Sequence, residues 1–226
     1  MPLDRSPSRS RLPFRVLVTA LGILSLAACQ RIGGGRPGSG TLKSEKRDVA
    51  GFTEVALSGE GELTLSQTGQ ESLTIEAEDN LLPFLTSTVA HGRLTLGTSA
   101  AIHPTKPIHY TVTVKDLTLL ALSGAGSVTA TQLHVNGLKV DVSGAGRVTL
   151  SGQAEKSDVR LSGVGSYDGS KLATRSTRVN VSGVGSAIVE ASDALDATTS
   201  GVGSIEYIGD PKVTKSVSGV GSVHKR

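Results

Sequence analysis

The chain has 226 residues, with 23 basic and 20 acidic side chains, one cysteine and no tryptophan. A single cysteine excludes an internal disulfide framework, and an aromatic content of 3% leaves little with which to stack bases or sugars. The formal charge of +3 resides in the first 28 residues, which hold four arginines and one aspartate, so residues 29–226 balance at 19 basic and 19 acidic side chains and give no reason to expect nucleic acid as a partner.

In chain order, the first element is a segment for export. Arg5, Arg9, Arg11 and Arg15 precede an apolar run from Val16 to Ala28. That run is well short of the roughly 20 residues that a permanent membrane helix needs. It ends in Leu26-Ala27-Ala28-Cys29, which resembles the bacterial lipobox. The resemblance implies cleavage before Cys29, acylation of its thiol (palmitate and related chains), and attachment to the membrane through that lipid. Gln30 stands where the sorting rule for inner-membrane retention has Asp, so the expectation is a cell-envelope protein at the outer membrane, periplasmic or surface-exposed. Gln30 to Gly40, QRIGGGRPGSG, reads as a flexible tether completing residues 29–40. Gly33, Gly35 and Gly38 match G-x-G-x-x-G, but no strand and helix flank them, so no dinucleotide or other cofactor is expected.

Residues 41–226 read as one all-β domain. The part up to residue 118 is irregular but strand-like, in EVALSGEGELTLSQ, SLTIEAE, GRLTLGT and PIHYTVTVK. Only Asn80 to Ala90 has room for a helical turn, and Pro83 limits it. This region is expected to begin a stack of coils and to cover its N-terminal end.

From residue 119 the sequence repeats. Ser-Gly-x-Gly units begin at Ser123, Ser143, Ser162, Ser182, Ser200 and Ser218, and another stands well before them at Ser58. The six recur at intervals of about 18–20 residues, a period in the range of solenoid repeats. Glycine permits a positive φ and close approach of chains, so each unit marks a corner. Before each serine, apolar residues alternate with polar ones, the signature of a strand with one buried face. Aligned on serine, the inward columns are Leu122, Val142, Leu161, Val181, Thr199, Val217 and Leu120, Val140, Val159, Val179, Ala197, Lys215. The outward columns are Leu119, Lys139, Asp158, Arg178, Asp196, Thr214 and Ala121, Asp141, Arg160, Asn180, Thr198, Ser216. Equivalent positions on stacked coils lie about 4.8 Å apart, so the alternating signs would attract along one face. The expected fold is a right-handed parallel β-helix, a solenoid with coils of about 18–20 residues and an irregular β N-terminal part.

The residues of two segments resemble a known family. Val49 to Gly59 (VAGFTEVALSG) and Glu76 to Pro83 (EAEDNLLP), followed by the iterated Ser-Gly-x-Gly series and Tyr207-Ile208-Gly209-Asp210-Pro211, are similar to the auto-transporter adhesin head GIN domain family, over roughly Asp48 to the C-terminus. The resemblance implies a β-helical envelope domain, often in lipoproteins, with no catalytic residues to carry over.

The residues themselves offer no catalytic, cofactor or metal site. His91, His103, His109, His134 and His224 lack metal-ligand spacing, and the Asp that calcium-binding rolls repeat after their glycines is missing. No serine lies in G-x-S-x-G, and the serine column reads as hydroxyls bonding corner backbone between coils. Tyr110, Tyr167 and Tyr207 read as core or corner fillers. The functional expectation is a non-enzymatic module, lipid-anchored through Cys29, acting in adhesion, surface structure or scaffolding, with an envelope or surface polymer as possible partner and an oligomeric state that the sequence leaves open. The alternative is a polysaccharide-active lyase or hydrolase using an outer-face pair such as Asp141 and Arg160.

Overall fold

Each Ser-Gly-x-Gly unit is a corner at which successive coils touch through their backbones. In the computed structural model, which describes residues 34–226, a Cβ added to Gly144 would fall well inside 3.0 Å of the Gly124 carbonyl oxygen. The same holds for Gly163 over Gly144, Gly183 over Gly163, and Gly201 over Gly183. The second glycines form a parallel series, with Gly146 against Gly126, Gly165 against Gly146 and Gly185 against Gly165. Of the two reasons for glycine, close approach therefore dominates. Among the corner glycines only Gly61 (φ 137°) and Gly126 (φ 151°) have a left-handed φ.

The close approach lets the corner backbone join the inter-coil ladder. The Ser143 N–H donates to the Leu122 carbonyl at 2.9 Å, the Ser162 N–H to Val142 at 2.9 Å, and the Val164 N–H to Gly144 at 3.1 Å. From one Ser-Gly corner to the next the chain runs as long parallel ribbons, Ala125–Val142, Ala145–Leu161 and Val164–Val181. Small register shifts occur between Ala130 and Leu133 and between Thr149 and Ser151. Later coils divide into Val184–Glu190 and Ala194–Thr199, then Val202–Ile208 and Lys212–Val217, ending in Val220–Lys225. All of these pair in parallel. The fold is an all-β parallel solenoid.

The aligned columns are the observed rungs. Leu120, Val140 and Val159 are register partners and buried, as are Leu122, Val142 and Leu161. A fully buried Leu or Val contributes about 1.5–3 kcal/mol relative to exposure, so each coil adds a similar increment to one continuous core. The inward columns end in exposed Lys215 and Val217.

The Ser58 unit, though distant from Ser123 in the sequence, belongs to the neighbouring coil. Glu54–Leu57 pairs with Leu119–Leu122, and Glu60 to Ser66 with Ala125 to Thr131. The residues between them fold back as a cover for the N-terminal end. Arg93–Thr98 stacks beneath Glu54–Leu57 and His109–Val114 beneath Glu62 to Gln67, both in parallel. Antiparallel partners Leu85–Ala90 and Ser72–Glu78 then close the edges. A short 3₁₀ turn, Leu82–Phe84, carries Pro83 in the segment where a helical turn was expected. Phe52 and Tyr110 are fully buried in this region, and Tyr167 is buried in the coils.

Part of the expected tether is bound to the fold. Arg36–Pro37 pairs in parallel with Ile102–His103, and Leu42–Arg47 adds antiparallel to Ser72–Glu78. Gly35 to Arg226 form one compact unit. The boundary drawn at residue 41 is thus corrected to near Gly35. The cause is close approach again, since a Cβ at Gly35 would strike the His103 ring and one at Gly38 the Glu78 carboxylate. The signal segment 1–28 and Cys29 lie outside the described residues.

Candidate functional site

A strand has two faces, and the outward face of the coils is where this chain can meet a partner. Lys139, Asp158, Arg178 and Asp196 are successive register partners, and Asp141 pairs in register with Arg160. The register is the one read from the sequence, but the contacts are divided differently. Arg178 reaches Asp196 on the next coil at 3.2 Å, whereas Lys139 turns to Asp141 (3.1 Å) and Arg160 to Asp158 (3.0 Å) on their own strands. Residues i and i+2 of a strand share a face, so these same-strand pairs compete with the neighbours above and below. Asp141 and Arg160 are therefore engaged with separate partners. A further ion-pair group, Arg175 with Glu155 (3.6 Å) and Asp193 (3.1 Å), stands on a neighbouring outward column.

The charged columns border a shallow open furrow of about 700 Å³ along the stack, lined by Lys156, Asp158, Arg178, Asp196 and Lys212 among others. Among the described residues no three His, Cys, Asp or Glu side chains converge as metal ligands. His109 lies beside Glu62 at 3.3 Å and His224 beside Glu206 at 3.9 Å.

The serine column behaves differently from expectation. Inter-coil bonding at the corners is carried by backbone N–H groups. Of the corner hydroxyls, Ser58 Oγ donates to the Leu96 carbonyl (2.9 Å) and Ser182 Oγ to Leu161 (3.4 Å). Ser123, Ser143 and Ser162 are exposed. The corner is already held by its amides, so the hydroxyls of Ser123, Ser143 and Ser162 are left facing solvent.

Two groups of residues emerge that the sequence reading gave no role. The first is the acidic stretch Glu78-Asp79-Asn80, which grips the N-terminal segment. The Glu78 carboxylate, 1% exposed, accepts from the Gly40 amide (2.6 Å), the Thr105 amide (2.8 Å) and hydroxyl (2.5 Å), and the Lys106 amide (3.4 Å). The Thr105 hydroxyl leads these donors in holding the carboxyl below the usual carboxylate range, against the opposing effect of burial. Asn80 accepts from the Ser39 amide (3.0 Å) and donates to the Pro37 carbonyl (2.8 Å), and Asp79 accepts from the Ser39 hydroxyl (2.5 Å). Arg36 lies over the Phe84 ring, 4.3 Å from its centre. The spacing of these residues within the EAEDNLLP segment was visible, but their partners far upstream were not. The second group is the x position of each corner, whose Val164, Val184, Val202 and Val220 stand exposed.

The arrangement is that of known folded domains. A solved structure of a “putative adhesin” from Bacteroides fragilis has a TM-score of 0.72 and 24% identity, covering 85% of this chain and 100% of that one. A “putative adhesin” from Parabacteroides distasonis gives a TM-score of 0.52 at 23% identity, over 85% of this chain and 100% of that one. A “putative lipid binding protein” from the same species gives 0.50 at 20% identity, over 84% and 98%. At these identities the likeness is one of fold. No curated protein sequence matches the chain at a significant level. The profile of the family described as “Putative auto-transporter adhesin, head GIN domain” matches residues 51–211, and the chain belongs to that family.

Proposed function

We propose that the protein is a lipid-anchored module of the cell envelope that acts without catalysis, in adhesion, surface structure or scaffolding. The observation that carries this reading is the uniformity of the outer faces. Positions equivalent from coil to coil are occupied by ladder-forming charges, serines and threonines in register. The acids and bases there are engaged with one another as neighbours. Membership in an adhesin head family supports the same reading.

The anchoring half of the proposal rests on Leu26 to Cys29. Acylation there would tether the solenoid to the membrane through the residues between Cys29 and Gly35. Among the described residues no helix is long and apolar enough to cross a membrane. The test is a deletion strain compared with the wild type for attachment and envelope integrity, together with protease shaving of intact cells. Loss of attachment and cleavage by added protease are expected. A deletion strain with unaltered attachment and envelope would refute it. So would release of new reducing or unsaturated sugar ends by the purified protein, abolished by Asp141→Asn or Arg160→Ala, which would promote the polysaccharide-active alternative.

A further inference from the structure

The corner from Ser162 onward is the same pentapeptide four times, Ser-Gly-Val-Gly-Ser at residues 162–166, 182–186, 200–204 and 218–222. Val164, Val184 and Val202 are consecutive register partners, and Val202 pairs with Val220. Their exposures are 61%, 53%, 53% and 77%, and they account for most of the exposed large apolar side chains among the described residues. They form a straight apolar ridge with a period of about 4.8 Å, the spacing of parallel strands. The glycines on either side of each valine pack closely on the backbone of the coil below, so no neighbouring side chain in the pentapeptide is larger than serine. No charged residue occurs in any of the four pentapeptides.

We propose that this valine ridge is a surface for self-association, on which a second copy of the chain docks antiparallel, ridge beside ridge. Commensurability selects the partner. A rigid apolar ladder of four rungs is matched in register by a surface with the same period, and another copy of this solenoid presents one. The valines of the two ridges then pack side against side, the dry contact that identical stacked side chains favour. Electrostatics permit it, because two uncharged corners meet without like-charge repulsion while the ion-paired faces remain in water. A two-fold axis between Val184 and Val202 places Val164 opposite the partner's Val220 and Val184 opposite the partner's Val202. The patch is on the order of 300 Å², well under the roughly 800 Å² per partner of a stable complex. Pairing is therefore weak in dilute solution and gains when many copies share one surface. This deepens the adhesion reading by naming a partner, and rests on that reading only for its biological role.

The experiment uses residues 34–226, which contain the whole described core and no cysteine, with circular dichroism confirming the fold of each variant. Sedimentation equilibrium up to several hundred micromolar should show reversible dimers. Val184→Asp with Val202→Asp should weaken dimerisation by at least about tenfold, through four carboxylates at the two-fold axis. In a mixture, Val184→Cys and Val202→Cys should form a hetero-disulfide faster than Val184→Cys does with Asn136→Cys on another face. A monomer at every concentration, dimers unaffected by the aspartates, or cross-linking no faster than the Asn136→Cys control would overturn the proposal. Binding of neutral phosphatidylcholine vesicles through the valines, without dimers, would also overturn it and assign the ridge to a lipid surface. Dimerisation in a protein whose deletion strain attaches normally would sustain the ridge and remove the adhesion reading.

Discussion

The carbonyl oxygen of Gly124 points at the bare Cα of Gly144 so closely that no Cβ fits between them. The contact recurs at each corner above it, and the packing of the solenoid depends on it.

Substitution at these contacts should be costly and position-specific. Gly144→Ala or Gly165→Ala sets a methyl against backbone that is itself in the ladder, so the coils must separate. A loss of about 3 kcal/mol or more is expected, at the upper end of overpacking effects. Gly137, with nothing within 4 Å of its would-be Cβ, is the control. Gly137→Ala should be neutral or stabilising by up to about 1 kcal/mol. Urea unfolding of the three variants measures the contrast, and equal effects at Gly137 and Gly144 would refute the close-approach argument.

The outer charge column predicts a salt-dependent effect. Asp158 sits between Lys139 and Arg178 in register and 3.0 Å from Arg160. Asp158→Lys converts this into a cluster of four cations. Because the groups are partly exposed, the expected loss is about 1 kcal/mol at low ionic strength. It should shrink markedly near 1 M salt, where screening acts within a few ångströms. Melting temperatures at both salt concentrations test this. The double variant Lys139→Asp with Asp158→Lys should recover only part of the loss, since Arg160 and Arg178 still face a lysine.

Glu78 predicts an acid-sensitive latch. Its carboxyl is held below the ordinary value of 4.5, so its stabilising contribution is complete above that value and disappears as pH falls through the folded-state pKa. Glu71, lowered chiefly by the Gly51 amide and helped by Lys115 and Phe52, acts in the same direction. As pH falls below the ordinary carboxylate value, the protection of the Arg36, Gly38 and Gly40 amides against hydrogen exchange should be lost before that of Val140 or Val159. Glu78→Gln should weaken that protection already at pH 7. Simultaneous exchange of the segment and the coils would show that the latch does not act separately.

The lipid anchor has its own test. Cys29→Ser should leave the protein unacylated and extractable without detergent, and mass spectrometry of the wild type should find acylated Cys29 at the mature N-terminus. Cleavage at another residue, or a free Cys29 thiol, would refute the assignment.

The coil architecture was legible because each rung reuses the same residue classes. Val140, Val159 and Val179 announce one another by position, and their register follows without knowledge of the turns. The Ser58 coil was harder, since its partner strand Leu119–Leu122 lies beyond an insertion whose hairpins have no repeat to align. The grip of Glu78 on Gly40 was not legible at all. A glycine-rich run has the composition of a linker, and only the Glu78 carboxylate, held in place by Thr105 and Lys106, turns Gly38 and Gly40 into contacts. The outward valines were not legible, because a valine between two glycines stands outside the alternation of the preceding strand and only the corner geometry turns it to solvent.

The stacking of the Ser58 coil directly on the Ser123 coil sets the order in which the chain can fold. Each later coil closes a loop of about 18–20 residues, whereas this junction closes one roughly three times as long. The longer loop adds only about 1 kcal/mol of closure entropy, too little to weaken the finished fold but enough to slow this step relative to the others. The long strands between Ala125 and Val181 can therefore nucleate first, by local closures. The inner strands of the N-terminal cover, Glu54–Leu57 and Glu60–Gln67, keep one edge unpaired until residues 119–131 complete it.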